Sequence, residues 1–198
     1  MDKRCETPGL LDLRFRLQGF ALNSEQQAVW FNQGQTSDSG SPRCDEVQII
    51  LHSAQTPYSS LDTLHAFLHR DASCRINIPT QWLNDSVYLE VLHRNCVATW
   101  TSHPIELQEV TSLDLRNPLI VYGGNLGLDA SGFASMYSGD INQDGVIDGL
   151  DYNDWETDNN NFGSGYLSTD LNGDGIVDGL DFLFWEVNNN NFVGVVRP

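Results

Sequence analysis

The sequence predicts two domains: an all-β, Ig-like sandwich over residues 1–122, then a small α-helical module over 133–198 built from two loop–helix repeats. Three observations predict this. Short apolar runs alternate with polar residues at a period of 2 through the first 120 residues, the pattern of half-buried strands. Two 23-residue stretches, Asp140–Phe162 and Asp170–Phe192, repeat each other at a spacing of 30 with 14 identical positions. Charge is uneven as well: of the formal −17, a balance of −11 falls from Ser138 onward, where ten Asp and two Glu face one Arg.

The strands come in order. Leu11, Leu13, Phe15 and Leu17 alternate with Asp12, Arg14 and neighbouring polar positions. Further runs stand at Val47–Leu51, Leu64–Leu68, Arg75–Ile78, Val87–Leu92, Ala98–Trp100, Ile105–Leu107 and Leu113–Leu115. Turn clusters at Thr36–Pro42 and Asn84–Ser86 separate some of them, and Glu25–Trp30 has room for a helical turn or two. Seven or eight short strands in about 110 residues suit an Ig-like sandwich.

Four cysteines, Cys5, Cys44, Cys74 and Cys96, lie in this half. They allow up to two disulfides of an exported domain, or buried free thiols; none forms a Cys-x-x-Cys zinc pair. Residues 123–132, with Gly123, Gly124, Gly127 and Gly132, read as a small flexible joint, and Phe133–Tyr137 as the segment that docks the second module on the first.

Each repeat then opens on a loop of oxygen donors. The first carries Asp140, Asn142, Asp144, Gly145, Val146, Asp148 and Asp151; the second carries Asp170, Asn172, Asp174, Gly175, Ile176, Asp178 and Asp181. Side-chain oxygens thus occupy loop positions 1, 3, 5, 9 and 12, glycine makes the sharp turn at 6, and the carbonyl of Val146 or Ile176 serves at 7. A hard cation needs six to eight oxygens from a chain wrapped around it, and this spacing provides them. The expected cofactor is Ca²⁺, one ion per loop, with Asp148 and Asp178 acting directly or through water and Asp151 and Asp181 closing the shell. Two bound ions would offset much of the local charge and couple folding to metal.

Together, the pattern Asp-x-Asn-x-Asp-Gly-x-x-Asp-x-x-Asp, twice, preceded by Gly139 in the first copy and with a short helix after each loop, resembles a dockerin domain over roughly Ser138–Pro198. Dockerins are calcium-dependent modules that plug enzymes or surface proteins into cohesin domains, and the resemblance implies a pseudo-two-fold pair of loop–helix segments. It also implies partner reading from loop positions 10 and 11, here Gly149-Leu150 and Gly179-Leu180, and from the following helix. These pairs depart from the Ser-Thr type of the best-known dockerins, so the calcium chemistry carries over while the partner's identity stays open. The run Val91-Leu-His93-Arg94-Asn95, followed by Trp100, is similar to a strand motif of sandwich domains that precede dockerin-like repeats. That arrangement, and the ending Asn191–Pro198, resemble the C-terminal ends of large exported proteins of Bacteroidota.

The repeat breaks where Asn153-Asp154 becomes Leu183-Phe184 and Thr157 becomes Val187. The second helix is therefore apolar nearly all round and is expected to be buried on more than one side, by the sandwich or by another protein. Leu183 and Phe184 join the loop pairs as candidate partner-binding residues.

Other chemistry is thin. His65 and His69 sit four apart in a strand-like run without a zinc-protease pattern, and no Gly-x-Ser-x-Gly, phosphate loop or dinucleotide fingerprint occurs. An enzyme is not expected. Trp82, Trp100 and Tyr88 are candidates for stacking on sugars, though aromatics in strands more often pack in the core. The acidic balance disfavours nucleic acid and anionic membranes, and no apolar run reaches the length of a membrane span.

The expected role is a calcium-binding, extracellular or cell-surface anchoring module, a C-terminal piece of a longer exported precursor, with a cohesin-like or other extracellular protein as partner. A calcium-stapled cap packed on the adjacent sandwich is the alternative. A carbohydrate-binding sandwich appended to a polysaccharide-degrading parent comes third.

Overall fold

A computed structural model of the chain describes residues 7–33 and 43–198, with Phe31 and Asn32 described by backbone alone. Cys5 and the expected turn at Thr36–Pro42 lie outside the described residues.

Every expected run in the first half overlaps a strand, though Phe15, Leu17, Leu107 and Leu115 lie just past strand ends. The chain runs through β1 (Gly9–Arg14), a small hairpin of β2 (Ala21–Leu22) and β3 (Glu25–Gln26), and a one-turn helix α1 (Val29–Asn32). The long strands β4 (Arg43–Ser53) and β5 (Ser60–His69) follow, then β6 (Ser73–Ile78), β7 (Ser86–His93) and β8 (Cys96–Trp100). Shorter strands β9 (Ile105–Glu106), β10 (Val110–Asp114), β11 (Gly127–Leu128) and β12 (Ala134–Ser135) complete the β part, and α2 (Gly149–Asn160) and α3 (Gly179–Asn190) the helical part.

The strands do not divide into two sheets as the Ig-like expectation required. One path of pairing, β10-β1-β6-β5-β4-β7-β8 with β9 also on β7, joins eight strands into a single sheet. Among the described residues, only β1 and β10 pair in parallel within it. The reason lies in β4, 11 residues long, which pairs β5 on one edge and β7 on the other. Its register against β5 slips between Arg43 and Asp45 and again between Leu51 and His52, and β7 slips against β8 between Val91 and His93. Such bulges bend a strand and raise its twist, so the sheet curls over its own apolar face. Leu11, Leu13, Phe15, Leu17, Ile49, Leu51, Leu68, Ile78 and Leu89 fill that face and are fully buried. Cys44, Cys74 and Cys96 are buried free thiols, not disulfides; burial pushes Cys74 and Cys96 up to about 12.

The segment expected to be a flexible joint is pinned. Asp129 is buried and accepts from Arg16 Nε at 2.6 Å, from Ser131 N at 2.9 Å and from Phe133 N at 3.0 Å, while Arg16 also donates to the Ser24 and Glu25 carbonyls. Met136 enters the sheet's core and bridges to Leu17, and Val97 N donates to the Tyr137 carbonyl at 2.9 Å. Phe133 stays partly exposed, its ring 4.8 Å from the Arg16 guanidinium carbon.

The two helices build a second core from Ile141, Trp155, Leu171 and Val177, with Tyr152, Phe182, Phe184 and Trp185 around it. This core meets the sheet closely. A Cβ on Gly19 would stand 1.9 Å from the Leu171 carbonyl oxygen, so only glycine permits the approach. Asn188 Nδ2 ties α3 to Gln18 Oε1 at 2.7 Å and to the Ser138 carbonyl at 2.6 Å.

Within the chain, α3 is covered on one side only. It is not buried on several sides: Phe182, Phe184 and Trp185 pack inward, while Leu180, Leu183 and Val187 are 54, 52 and 55 % exposed. Four aromatic rings inside the module, Tyr152, Trp155, Phe182 and Trp185, stack on one another at 5.1–6.2 Å and supply the burial that the sequence pattern assigned to an outside cover.

Candidate metal centre and the exposed helix face

Each loop is wound by the carboxylate that ends it. Asp151 accepts from the N–H groups of Ile141 at 2.7 Å, Asn142 at 3.1 Å and Asp148 at 2.9 Å. Asp181 repeats this with Leu171, Asn172 and Asp178 at 2.7, 3.0 and 2.9 Å. Inside the loops, Asn142 and Asn172 accept from the N–H two residues on, and Asp144 and Asp174 do the same for Val146 and Ile176. Gly145 and Gly175 have φ of 91° and 88°, the turn that position 6 requires. Asp148 and Asp178 are N-caps, accepting from Leu150 N and Leu180 N at 2.7 Å within capping boxes. Their side chains therefore serve the helices in this structure.

The loops are also tied to each other. Trp155 Nε1 donates to the Asp178 carbonyl at 3.1 Å, and Trp185 Nε1 donates to the Asp148 carbonyl at 2.8 Å. Each helix thus holds the ninth residue of the other loop, a reciprocal contact that a pseudo-two-fold pair produces.

Burial and neighbouring carboxylates raise the acids of the loops. Asp140 is pushed up to about 7 by burial and then by the nearby Asp151 and Asp144 charges. Asp181 is also pushed up to about 7, chiefly by burial, with Asp170 adding to it. Asp151 and Asp170 are raised for the same first reason. Asp140 Oδ1 is buried and makes no hydrogen bond. Among the described residues, no three His, Cys, Asp or Glu side chains converge at ligand spacing. The donors still fit a hard divalent ion: they are all oxygen, they raise one another's pKa, and one buried carboxylate oxygen is orphaned.

The candidate partner residues fall on one kind of surface. Gly149, Leu150, Gly179 and Leu180 form the exposed first turns of the helices. Leu183 lies on the outward face of α3 beside Phe184, which is half-buried. Val187 completes that stripe and was missed; its i, i+4 spacing from Leu183 was the available signal. Leu180, Leu183, Phe184 and Val187 line one wall of a groove of about 570 Å³ whose other side includes Ala21 and Leu128.

The remaining sequence candidates lie in the β domain, away from the loops. His65 and His69 stand in β5, where His65 lies 3.7 Å from Glu46 at the surface. Trp100 is 3 % exposed, donates to Glu90 at 2.9 Å and packs on His52, so it offers no face to a sugar. Trp82 donates to Asp62 at 2.8 Å.

Sequence reasoning missed one buried hub. Asp45 accepts from His93 Nε2 and Arg94 Nε, each at 3.1 Å, and from the Tyr166 hydroxyl. Arg94 lies over the Phe20 and Tyr166 rings and donates to the Leu167 carbonyl, joining the sheet to the chain that leads into the second loop.

The sequence matches no family model and no curated protein. Its fold is similar to a chain of a solved structure, an N-terminal interface mutant of a type II cohesin–X-dockerin complex from Acetivibrio cellulolyticus. The TM-score is 0.52 at 13 % identity, over 95 % of this chain and 97 % of that one. A mostly β domain followed by two helices resembles an X-module plus dockerin.

Proposed function

We propose that this chain is a non-catalytic anchoring region in which a calcium-dependent, dockerin-like module binds a cohesin-like protein outside the cell. The observation that carries it is the different chemistry of two equivalent faces. Asn153 and Thr157 of α2 are exposed, and so are their counterparts Leu183 and Val187 of α3. Folding alone gives no reason to replace exposed polar residues with apolar ones, whereas a partner does. The similar solved chain comes from a complex with a cohesin, which supports the class of partner. Calcium enters because Asp140, Asn142, Asp144, Val146 and Asp151, and Asp170, Asn172, Asp174, Ile176 and Asp181, would hold it, with Asp148 and Asp178 reaching it through water. The metal would supply the charge balance that keeps the loops, and hence the helix faces, in place.

The test is binding of the whole chain to immobilised type II cohesins, in calcium and in EGTA. Covering the exposed halves of Leu180, Leu183 and Val187 is worth about 1 kcal/mol each. Leu183→Asp, which also places a charge in the interface, should therefore weaken binding by at least tenfold while leaving the melting temperature unchanged. Binding that survives both EGTA and Leu183→Asp would refute the proposal.

A second reading, a calcium-stapled cap on the sheet domain, is favoured by the Gly19–Leu171 approach and the Asn188 bonds. The two are compatible. In both, the 1–122 and 133–198 segments act as one body whose free face is α3.

A further inference from the structure

The two loops are copies in sequence but not in surroundings. The second receives three hydrogen bonds from side chains of the β domain. Gln33 Nε2 donates to Asp170 Oδ2 at 2.6 Å, Gln27 Nε2 to the Asn172 carbonyl at 2.9 Å, and Asn95 Nδ2 to the Asp170 carbonyl at 3.0 Å. Together with Gly173 N at 2.8 Å and Gly175 N at 3.0 Å, Gln33 fixes the Asp170 carboxylate through both oxygens. The loop presses so closely on α1 that a Cβ at Gly173 would meet Val29 Cγ2 at 2.5 Å.

The first loop's carboxylates lack such side-chain partners. Its residue at the position of Gly173 is Gln143, whose own amide donates to the Asp140 carbonyl at 2.5 Å and to the Cys96 carbonyl at 3.3 Å. Among the described residues, no side chain of the β domain reaches a carboxylate of the first loop, and Asp140 Oδ1 is left without a partner. Gln33, in contrast, sits 3.5 Å from where a Gly175 side chain would begin, and its Oε1 is buried with no hydrogen bond of its own.

We infer that the β domain completes the second calcium loop, with Gln33 as a positioning residue that orients Asp170, so that the two loops are unequal sites. A ligand held by an outer hydrogen bond is ordered before the ion arrives, and losing such a partner commonly costs 10- to 100-fold in metal affinity. The inference rests on the calcium reading of the loops. It also gives the cap arrangement a use: docking of the two halves and filling of the second loop favour each other.

The experiment is calcium calorimetry on the full chain with one loop disabled at a time. Asp144→Ala leaves only the second loop, and Asp174→Ala only the first. Adding Gln33→Leu to the Asp144→Ala chain should raise its Kd at least tenfold. Adding it to the Asp174→Ala chain should change nothing. Gln33→Asn keeps the amide but not its reach, disturbs packing less, and should give the same selective loss. An unaltered Kd in the Asp144→Ala background, or equal weakening in both backgrounds, overturns the inference. A wild-type chain that takes up no calcium overturns the calcium reading itself and the inference with it, so the two failures are distinguishable.

Discussion

Replacing Asp45 with Asn tests whether the sheet and the helical module form one cooperative unit. Asp45 is fully buried, and its carboxylate is the shared acceptor for His93, Arg94 and Tyr166. Burial by itself would raise the carboxyl, but the His93 hydrogen bond and charge, Arg94 and the Tyr166 hydroxyl outweigh it and hold it below its ordinary range. Burial is the main influence that lowers His93, whose Nε2 faces Asp45. Asp45→Asn then leaves Arg94, 15 % exposed, as a nearly buried cation without its anion. Breaking a buried pair in this way costs about 3–5 kcal/mol. For a chain of this size that is a fall in Tm of about 6–20 °C. Calorimetric melting in saturating calcium measures it. Because Tyr166 and Leu167 lead into the second loop, the single transition of the wild type should also split, the helical module melting first. A fall of less than about 2 °C with one transition would show that the hub carries no coupling and refute the reasoning.

Two further outcomes follow from the packing and the loops. Gly19→Ala should lower stability by about 1–3 kcal/mol, read from urea unfolding, because its methyl group cannot coexist with the Leu171 carbonyl. In EGTA, stability should fall as pH rises from about 4 to about 7, since Asp140 and Asp181 hold their protons up to about 7 when folded but release them near their ordinary value when unfolded. On the calcium proposal the sign should reverse, because binding would expel those protons: affinity should weaken as pH drops through about 7. Melts in EGTA at pH 5.5 and 8, with calcium titrations at both, check the pair; a metal-free chain more stable at pH 8 would contradict it.

The positions of the strands were legible because alternation is local, and Leu11, Leu13 and Leu89 are buried as their spacing requires. The partition of strands was not legible. Whether β4 turns a corner between two sheets or curls within one depends on bulges, and a bulge is one residue of slip between partners distant in sequence. Which part of α3 the chain covers by itself was not legible for a similar reason. Composition counted Phe182, Leu183, Phe184 and Trp185 as a load needing an outside cover, but the aromatic residues of α2 and α3 stack on one another and take most of it.

By itself, then, the sequence determined the paired acidic loops, their glycine turns, the two helices that follow them and the strand set, all of them properties of residues within about a dozen positions of each other. The tertiary structure decided what lies between distant residues: the single curled sheet, the Asp45 hub, the α3 stripe left open beside Ala21 and Leu128, and the Gln33 bond to Asp170. A repeat read along the chain makes its two loops equal. Only packing against one side of the β domain, a contact across 137 positions, makes them different.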